Sequence, residues 1–532
     1  MNHETLASKF CYMSNKASSH LFELIKSLNK SEKRYFKLFS SRHTIGEENG
    51  YIRLFDFIDR MDSYQEDLIF MHFKGQALLN KFSITKARLY ENILKSLDTF
   101  YASTSLDAQL YRLIHSAEIL YNKGLYKQAE KVLISAGKKA EKHERLNLLL
   151  EIKQKQKRLI ENELYREIDS AQIDELFEDE KRIITEIELD HTLWHTKSLL
   201  FHSLNSNGKI RNVNDAKKLK NLVDKISEME IGKSATRVKY LYHHIHSAYY
   251  FSVNDLQKSF NYLEQNLVIV KSNEVFLSSQ PNILFSLLTN CVYISTKLGK
   301  YDVARQRLLE LKALRTVENE ESNIDLDIKY FSSVCSLELY LLIEQGSFDK
   351  AENLVEKIEE AYHLYGDNIS VPRKAYIDFK VGVVYMSLGE YSKALVWINK
   401  ILNEARIDQK EDIYCFARLL SLILHFELGN STLLPYSINA ARRGMRLRQN
   451  IYRSEEVFLK ALGQISRMEN VFDLQEILVP FEQELQDLKN NPDETVVFEY
   501  FDFLSWVRSK IVQKSFADVS SKERSVKISL VG

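Results

Sequence analysis

The stretch "EIELDHTLWHTKSLLFH" holds the best-spaced metal donors in the chain: His191, His195 and His202, with Glu188 just before them. His191 and His195 stand four apart, and two imidazoles on adjacent turns of one helix can clamp a cation. A zinc hydrolase of the H-E-x-x-H kind needs a glutamate directly after the first histidine as its general base. That position is Thr192. The three histidines therefore read as a polar helix face, and so does "YHHIH" at 242–246. "GKS" at Gly232–Ser234 has the last letters of a phosphate loop, but the loop's first glycine would be Ser227, and no strand pattern precedes it. No G-x-S-x-G elbow is present. Cys11, Cys291, Cys335 and Cys415 lie far apart with no C-x-x-C pair, so neither a disulfide framework nor a thiolate zinc site is indicated. No catalytic residue, metal ligand or cofactor is assigned, and no enzyme activity is expected.

Basic residues form local clusters. The largest is "ARRGMRLRQNIYR", with Arg442, Arg443, Arg446, Arg448 and Arg453; others are Lys153, Lys155, Lys157 and Arg158, and Lys217, Lys218 and Lys220. Such stripes can hold phosphates. Across the chain, however, 73 basic residues balance 73 acidic ones. No global field draws it to nucleic acid or an anionic membrane. The clusters read as solvated helix faces; the next reading is a surface for an acidic partner protein, and the third is nucleic acid, for which Arg442–Arg453 is the patch.

The elements that carry these residues are helices. Only 16 Gly and 5 Pro occur in 532 residues, well below the usual shares of about 7% and about 5%. Sheets and loops need those turn formers, and long helices do not. Pro281, Pro372, Pro435 and Pro492 each precede or open an amphipathic run, where a missing N–H costs nothing. Pro480, in "ILVPFEQEL", is expected to separate or kink two helices. Ser83 is placed as an N-cap before "ITKARLYENIL".

One pattern recurs. Gly124, Tyr126 and Ala129 have the spacing G-x-Y-x-x-A, as do Gly299, Tyr301 and Ala304, and Gly389, Tyr391 and Ala394; Gly346, Phe348 and Ala351 repeat it with phenylalanine. Chance placement gives roughly 0.1 matches, so the chain has an internal repeat. Glycine ends one helix by reaching positive φ. The aromatic ring, two residues later, packs back across the pair. Alanine lies one turn further on the same face, where a small side chain lets two helix axes approach. Turn positions at Asn254, Gly299, Gly346, Gly389 and Gly429 are 45, 47, 43 and 40 residues apart.

Gly-x-Tyr-x-x-Ala between two helices resembles the centre of a tetratricopeptide repeat, where it joins the end of helix A to the start of helix B. The likeness covers about 106–142 and 238–450. Family repeats have 34 residues, and these are longer. The family's tryptophan and closing proline are mostly absent. The small residue of helix A is matched by Ala117 and Gly382 but not by Val292. As a whole the chain also resembles large bacterial helical-repeat proteins of unassigned role, in "NKSEKRYFKLF" and "FEYFDFLSW".

The expected fold is all-α, a TPR-like α-solenoid of stacked antiparallel helix pairs in a right-handed superhelix, with an N-terminal helical domain. Expected segments are a disordered leader (1–17), an N-terminal helical domain or cap (18–105), a first helix pair with long helices (106–232), repeats closed by a C-terminal capping helix (233–515) and a flexible tail (516–532). Met13 offers a second translation start. The N-terminus lacks the apolar core of a secretory signal, no apolar run is long enough to cross a membrane, and a cytoplasmic location is expected. The resemblance implies a protein-interaction scaffold that binds a partner peptide or helix in a groove lined by helix A residues. By that analogy Asn290, Tyr340, Lys380 and Tyr385 face the partner. The alternative is a nucleic-acid-linked regulator in which the solenoid senses a signal or dimerises.

Overall fold

The computed structural model describes residues 19–41, 50–102, 105–166, 168–207, 213–314, 324–409, 411–446, 451–468, 474–491 and 494–531. Met13, Cys11, Arg448, Pro492 and the expected leader lie outside them. Among the described residues every regular element is helical. The chain is an all-α protein of tetratricopeptide-like helix pairs, and it divides into two compact units, 1–185 and 186–532.

In the first unit, α1 (His20–Ser27), α2 (Lys30–Ser41), α3 (Gly50–Arg60), α4 (Glu66–His72) and α5 (Phe82–Tyr101) surround a core of Ile25, Phe36, Phe55, Ile58 and Ile93. A reciprocal cap opens α2: the Asn29 side chain accepts from the Glu32 N–H at 2.8 Å, and the Glu32 carboxylate accepts from the Asn29 N–H at 2.7 Å. Helix α5 begins at Phe82 with Lys81 as its N-cap, so Ser83 lies inside the first turn instead of capping it. The hairpin of α6 (Leu106–Asn122) and α7 (Tyr126–Lys142) follows, then α8 (Leu146–Asn162). The boundary between units falls within α9 (Ser170–Asn207).

The second unit continues with α10 (Val213–Ser227), α11 (Thr236–Ser252), α12 (Leu256–Lys271), α13 (Glu274–Ser279), α14 (Pro281–Lys297), α15 (Tyr301–Ala313), α16 (Ile324–Glu344), α17 (Phe348–Glu352), α18 (Val355–Tyr365), α19 (Val371–Ser387), α20 (Tyr391–Leu402), α21 (Asp412–Glu427) and α22 (Leu434–Met445). It ends with α23 (Arg453–Ile465), α24 (Leu474–Lys489), α25 (Thr495–Tyr500), α26 (Phe503–Ile511) and α27 (Phe516–Val531). Partners within pairs pack together: α11 on α12, α14 on α15, α19 on α20. The first helices of successive pairs also touch, α14 on α16, α16 on α19 and α19 on α21. Stacking of this kind buries the face that a single pair leaves open.

The repeated turn has one geometry. Gly389 has φ +79°, its N–H donates to Met386 O at 3.1 Å, and the next N–H, of Glu390, donates to Tyr385 O at 2.9 Å. This is the Schellman closure of a helix. The same two bonds recur at Gly124, Gly299, Gly346 and Gly429, and Asn254 (φ +63°) carries them without glycine. Ala129, Ala304, Ala351 and Ala394 are all buried. The motif tyrosine reaches the following pair, as the Tyr301 hydroxyl donates to Glu344 O at 2.9 Å.

Pro281, Pro372 and Pro435 sit in first helical turns, whereas Pro480 lies inside the single helix α24. Residues 516–531 form α27 where a flexible tail was expected. Ser515 caps it, accepting from the Asp518 N–H at 3.1 Å, Phe516 is buried, and Arg508 pairs with Glu523 at 2.7 Å.

Candidate functional site

Helices α14, α16 and α19 lie side by side in the second unit, and each presents one face to a common cavity of about 410 Å³. Helix α14 supplies Thr289, Asn290 and Tyr293; α16 supplies Ser332, Ser333, Ser336, Leu337 and Tyr340; α19 supplies Arg373, Tyr376 and Lys380. The steps of three and four residues are those of a single helix face. Glu499 and Tyr500, at the end of α25, close one side. Beyond them a second cavity of about 590 Å³ continues past Lys297, Tyr301 and Glu344, sharing Lys380, Glu499 and Tyr500 with the first. The Glu499–Tyr500 segment thus lines both cavities. Its Tyr500 ring is held 4.5 Å from that of Phe416 and 5.7 Å from that of Phe379. Nearby, Trp506 Nε1 donates to the Glu427 carboxylate at 2.7 Å.

The walls combine aromatic faces with neutral donors and acceptors. Tyr293 and Tyr340 stack at 5.4 Å. Burial holds both phenols well above their ordinary range, with Glu499, Glu344 and neighbouring tyrosines adding to it, so both stay protonated donors. The Ser332 hydroxyl is spent on Ile328 O at 2.6 Å. Lys380 is the unusual group. It is 3% exposed, and its Nζ lies 3.3 Å from Tyr500 O and 3.5 Å from Glu499 O. The Tyr376 and Tyr340 ring centroids are 5.4 and 5.7 Å away. Burial pulls its amine down to about 8, against a smaller upward pull from Glu344 and Glu499. The Glu499 carboxylate is engaged by Lys297 Nζ at 2.6 Å. No histidine or cysteine lines this first chamber. Its chemistry is that of hydrogen bonding, ring stacking and charge.

Three residues named from the sequence, Asn290, Tyr340 and Lys380, are brought together in these walls. Tyr385 is not among the lining residues of either chamber; it is buried one turn further along α19, with Lys393 Nζ 5.4 Å from its ring centroid. Tyr293, Tyr376, Arg373 and Ser336 escaped the sequence reading. A signal for some of them existed. Tyr293 and Tyr340 both stand six residues before their turn glycines, and Asn290, Leu337 and Lys380 all stand nine before. Alignment on the glycines would have drawn this face.

The remaining motifs lie elsewhere. Arg442, Arg443 and Arg446 are exposed, and Arg453 pairs with Glu456 at 3.1 Å and Glu484 at 3.4 Å. Lys153, Lys155 and Lys157 pair with Asp179, Glu118 and Glu180. His191, His195 and His202 are exposed on α9, and no group of three or more metal-donor side chains suited to a metal ion occurs among the described residues. In α11, His244 stacks between Phe201 and Tyr240, and burial pulls it down to about 4. The His246 ring nitrogens lie 2.9 Å from Ser227 Oγ and 2.9 Å from Tyr242 O. No described helix is long and apolar enough to cross a membrane.

No protein-family model matches the chain, and no curated protein matches it. Among solved structures it is similar to the apo form of the quorum sensor NprR from B. thuringiensis, with 15% identity, 74% of this chain and 97% of that chain covered, and a TM-score of 0.45. It is similar to the apo form of RapI, with 12% identity, coverage of 76% and 99%, and a TM-score of 0.43. A third is NprR in complex with its cognate peptide NprX, with 16% identity, coverage of 68% and 98%, and a TM-score of 0.35.

Proposed function

We propose that this chain is a non-enzymatic binding protein that takes an extended segment of a partner in the groove formed by α14, α16 and α19. The observation that carries the proposal is the cavity itself. It has the size usual for a ligand pocket, and aromatic anchors with convergent polar groups line it, the composition of an interface hot spot. It is built from the first helices of successive pairs, so the repeat that makes the fold also makes the groove. Support for a nucleic-acid-linked regulator is thinner, since Arg453 and three of the clustered lysines are already held in ion pairs.

A photo-crosslinking amino acid at position 290, exposed at the cavity wall, is expected to capture a partner segment. The same group at position 436, which is 78% exposed on α22, should not. The captured segment, synthesised and added to the purified chain, should compete with that adduct and bind Tyr293→Ala about tenfold more weakly. Equal capture at both positions, or unaltered affinity of the variant, would contradict the groove.

A further inference from the structure

The charges around the first chamber do not balance. Its one carboxylate, Glu499, is held by Lys297. Lys380 meets no carboxylate within ion-pair distance, and neither does Arg373, which is exposed at the cavity rim, among the described residues. The Lys380 ammonium has three donors. Two carbonyls approach it, at 3.3 and 3.5 Å, farther than the roughly 2.7–2.9 Å of a charge-assisted bond. The Tyr340 and Tyr376 faces compensate only in part. A buried ammonium without an anion is costly, and an apolar side chain would fill the place without that cost. The two carbonyl contacts tie α19 to the C-terminal segment without supplying an anion.

We propose that Lys380 and Arg373 form a two-point anion site whose ligand is the acidic end of a peptide, with the terminal carboxylate at Lys380 and a second carboxylate at Arg373. This rests on the groove proposed above and names the chemistry of its occupant. The two cations are seven residues apart on one helix, about 10 Å along its axis. An extended chain covers that distance in about three residues. Asn290, Ser333 and Ser336, on the facing helices, offer amide and hydroxyl partners to the peptide groups between. A small diacid shares the two carboxylates but not the peptide groups.

Calorimetry on the full chain tests this with four probes: N-acetyl-Glu-Ala-Ala as the free acid, its C-terminal amide, N-acetyl-Gln-Ala-Ala as the free acid, and azelate, a nine-carbon diacid long enough to reach both cations. The free acid of the first should bind about tenfold or more tightly than its amide, and Lys380→Met should erase that preference. The glutamine probe should bind more weakly than the glutamate probe, and Arg373→Ala, a change at the exposed rim that leaves the core alone, should erase that difference. Azelate binding as tightly as the tripeptide would keep the two-point site and overturn the peptide as its source. Equal binding of acid and amide, a preference that survives Lys380→Met, or no binding of any probe would overturn the anion site. None of these would remove a position-290 adduct, which tests the groove alone.

Discussion

A lysine buried among tyrosines and carbonyls is a stability cost that a ligand would relieve. Lys380→Met is therefore predicted to raise the stability of the ligand-free chain at pH 7 by about 1–3 kcal/mol, since replacing an isolated buried charge with an apolar side chain of like size is neutral or favourable. The groups facing Lys380 are Glu344, Glu499, Arg524, Tyr340 and Tyr376, and none neutralises it at hydrogen-bond distance. The sign with pH follows. The folded amine titrates near 8 against an ordinary 10.5, so the unfolded chain holds the extra proton between those values and the wild type gains stability as pH rises through them. The advantage of Lys380→Met should be full below pH 8 and shrink toward pH 10.5. Thermal melts of both proteins across that range check it. A lower melting temperature for the variant at pH 7 would make Lys380 a clasp for the C-terminal segment. That Asn290, Tyr340 and Lys380 share a cavity wall was legible in the sequence from their places on helix A of the repeat, while Tyr385, named by the same analogy, lies outside that wall. Arg373 was not, since its role depends on where α19 begins. Glu499 was not, because it meets Lys297 across 202 residues of sequence.

At the scale of the element, two glycines are required for different reasons. Gly382 has ordinary helical backbone, but a Cβ there would lie 2.7 Å from Ile398 Cδ1 and 2.9 Å from Ile398 Cγ1. Gly389 has open space around it and a left-handed φ of +79°. Gly382→Ala should cost about 1–3 kcal/mol by overpacking the α19–α20 contact. Gly389→Ala should cost about 1–2 kcal/mol by backbone strain, and Gly389→Asn less, because asparagine tolerates that conformation. Chemical denaturation separates the cases: Gly382→Asn should be at least as damaging as Gly382→Ala, the reverse order from position 389. A neutral Gly382→Ala would mean that the two helices do not meet as closely as described. The turn glycines are also what made the pairs readable. The α7–α8 turn was harder, because Glu144 takes φ +53° and carries the same closure with no glycine to announce it. Helix α27 was unreadable for another reason. Its sequence is polar and nearly unpatterned, and tertiary partners hold it: Arg524 lies 4.0 Å from Glu344, and Ser521 sits so close to Gly346 that a Cβ there would be 2.5 Å from its hydroxyl. Propensity gives way to packing in such segments.

At the scale of the molecule, the chain separates into two units with their own cores. One surrounds Phe36 and Phe55; the largest in the other runs from Leu339 through Phe416 to Trp506. The proposed groove belongs wholly to the second. Repeats of 40–47 residues were visible in the sequence as recurring turns. The closing of the groove by residues 499–502 was not, because that contact joins elements far apart in the chain. Aromatic crowding in "FEYFDFLSW" signalled a cap without saying what it covers. The most direct test of the groove is amide hydrogen exchange on the full chain, with and without the segment captured at position 290. Slower exchange in α14, α16, α19 and the Glu499–Tyr500 segment is predicted, with residues 19–166 unaltered. Slowing confined to the first unit, or to α15 and α20 with α14, α16 and α19 unmoved, would contradict it.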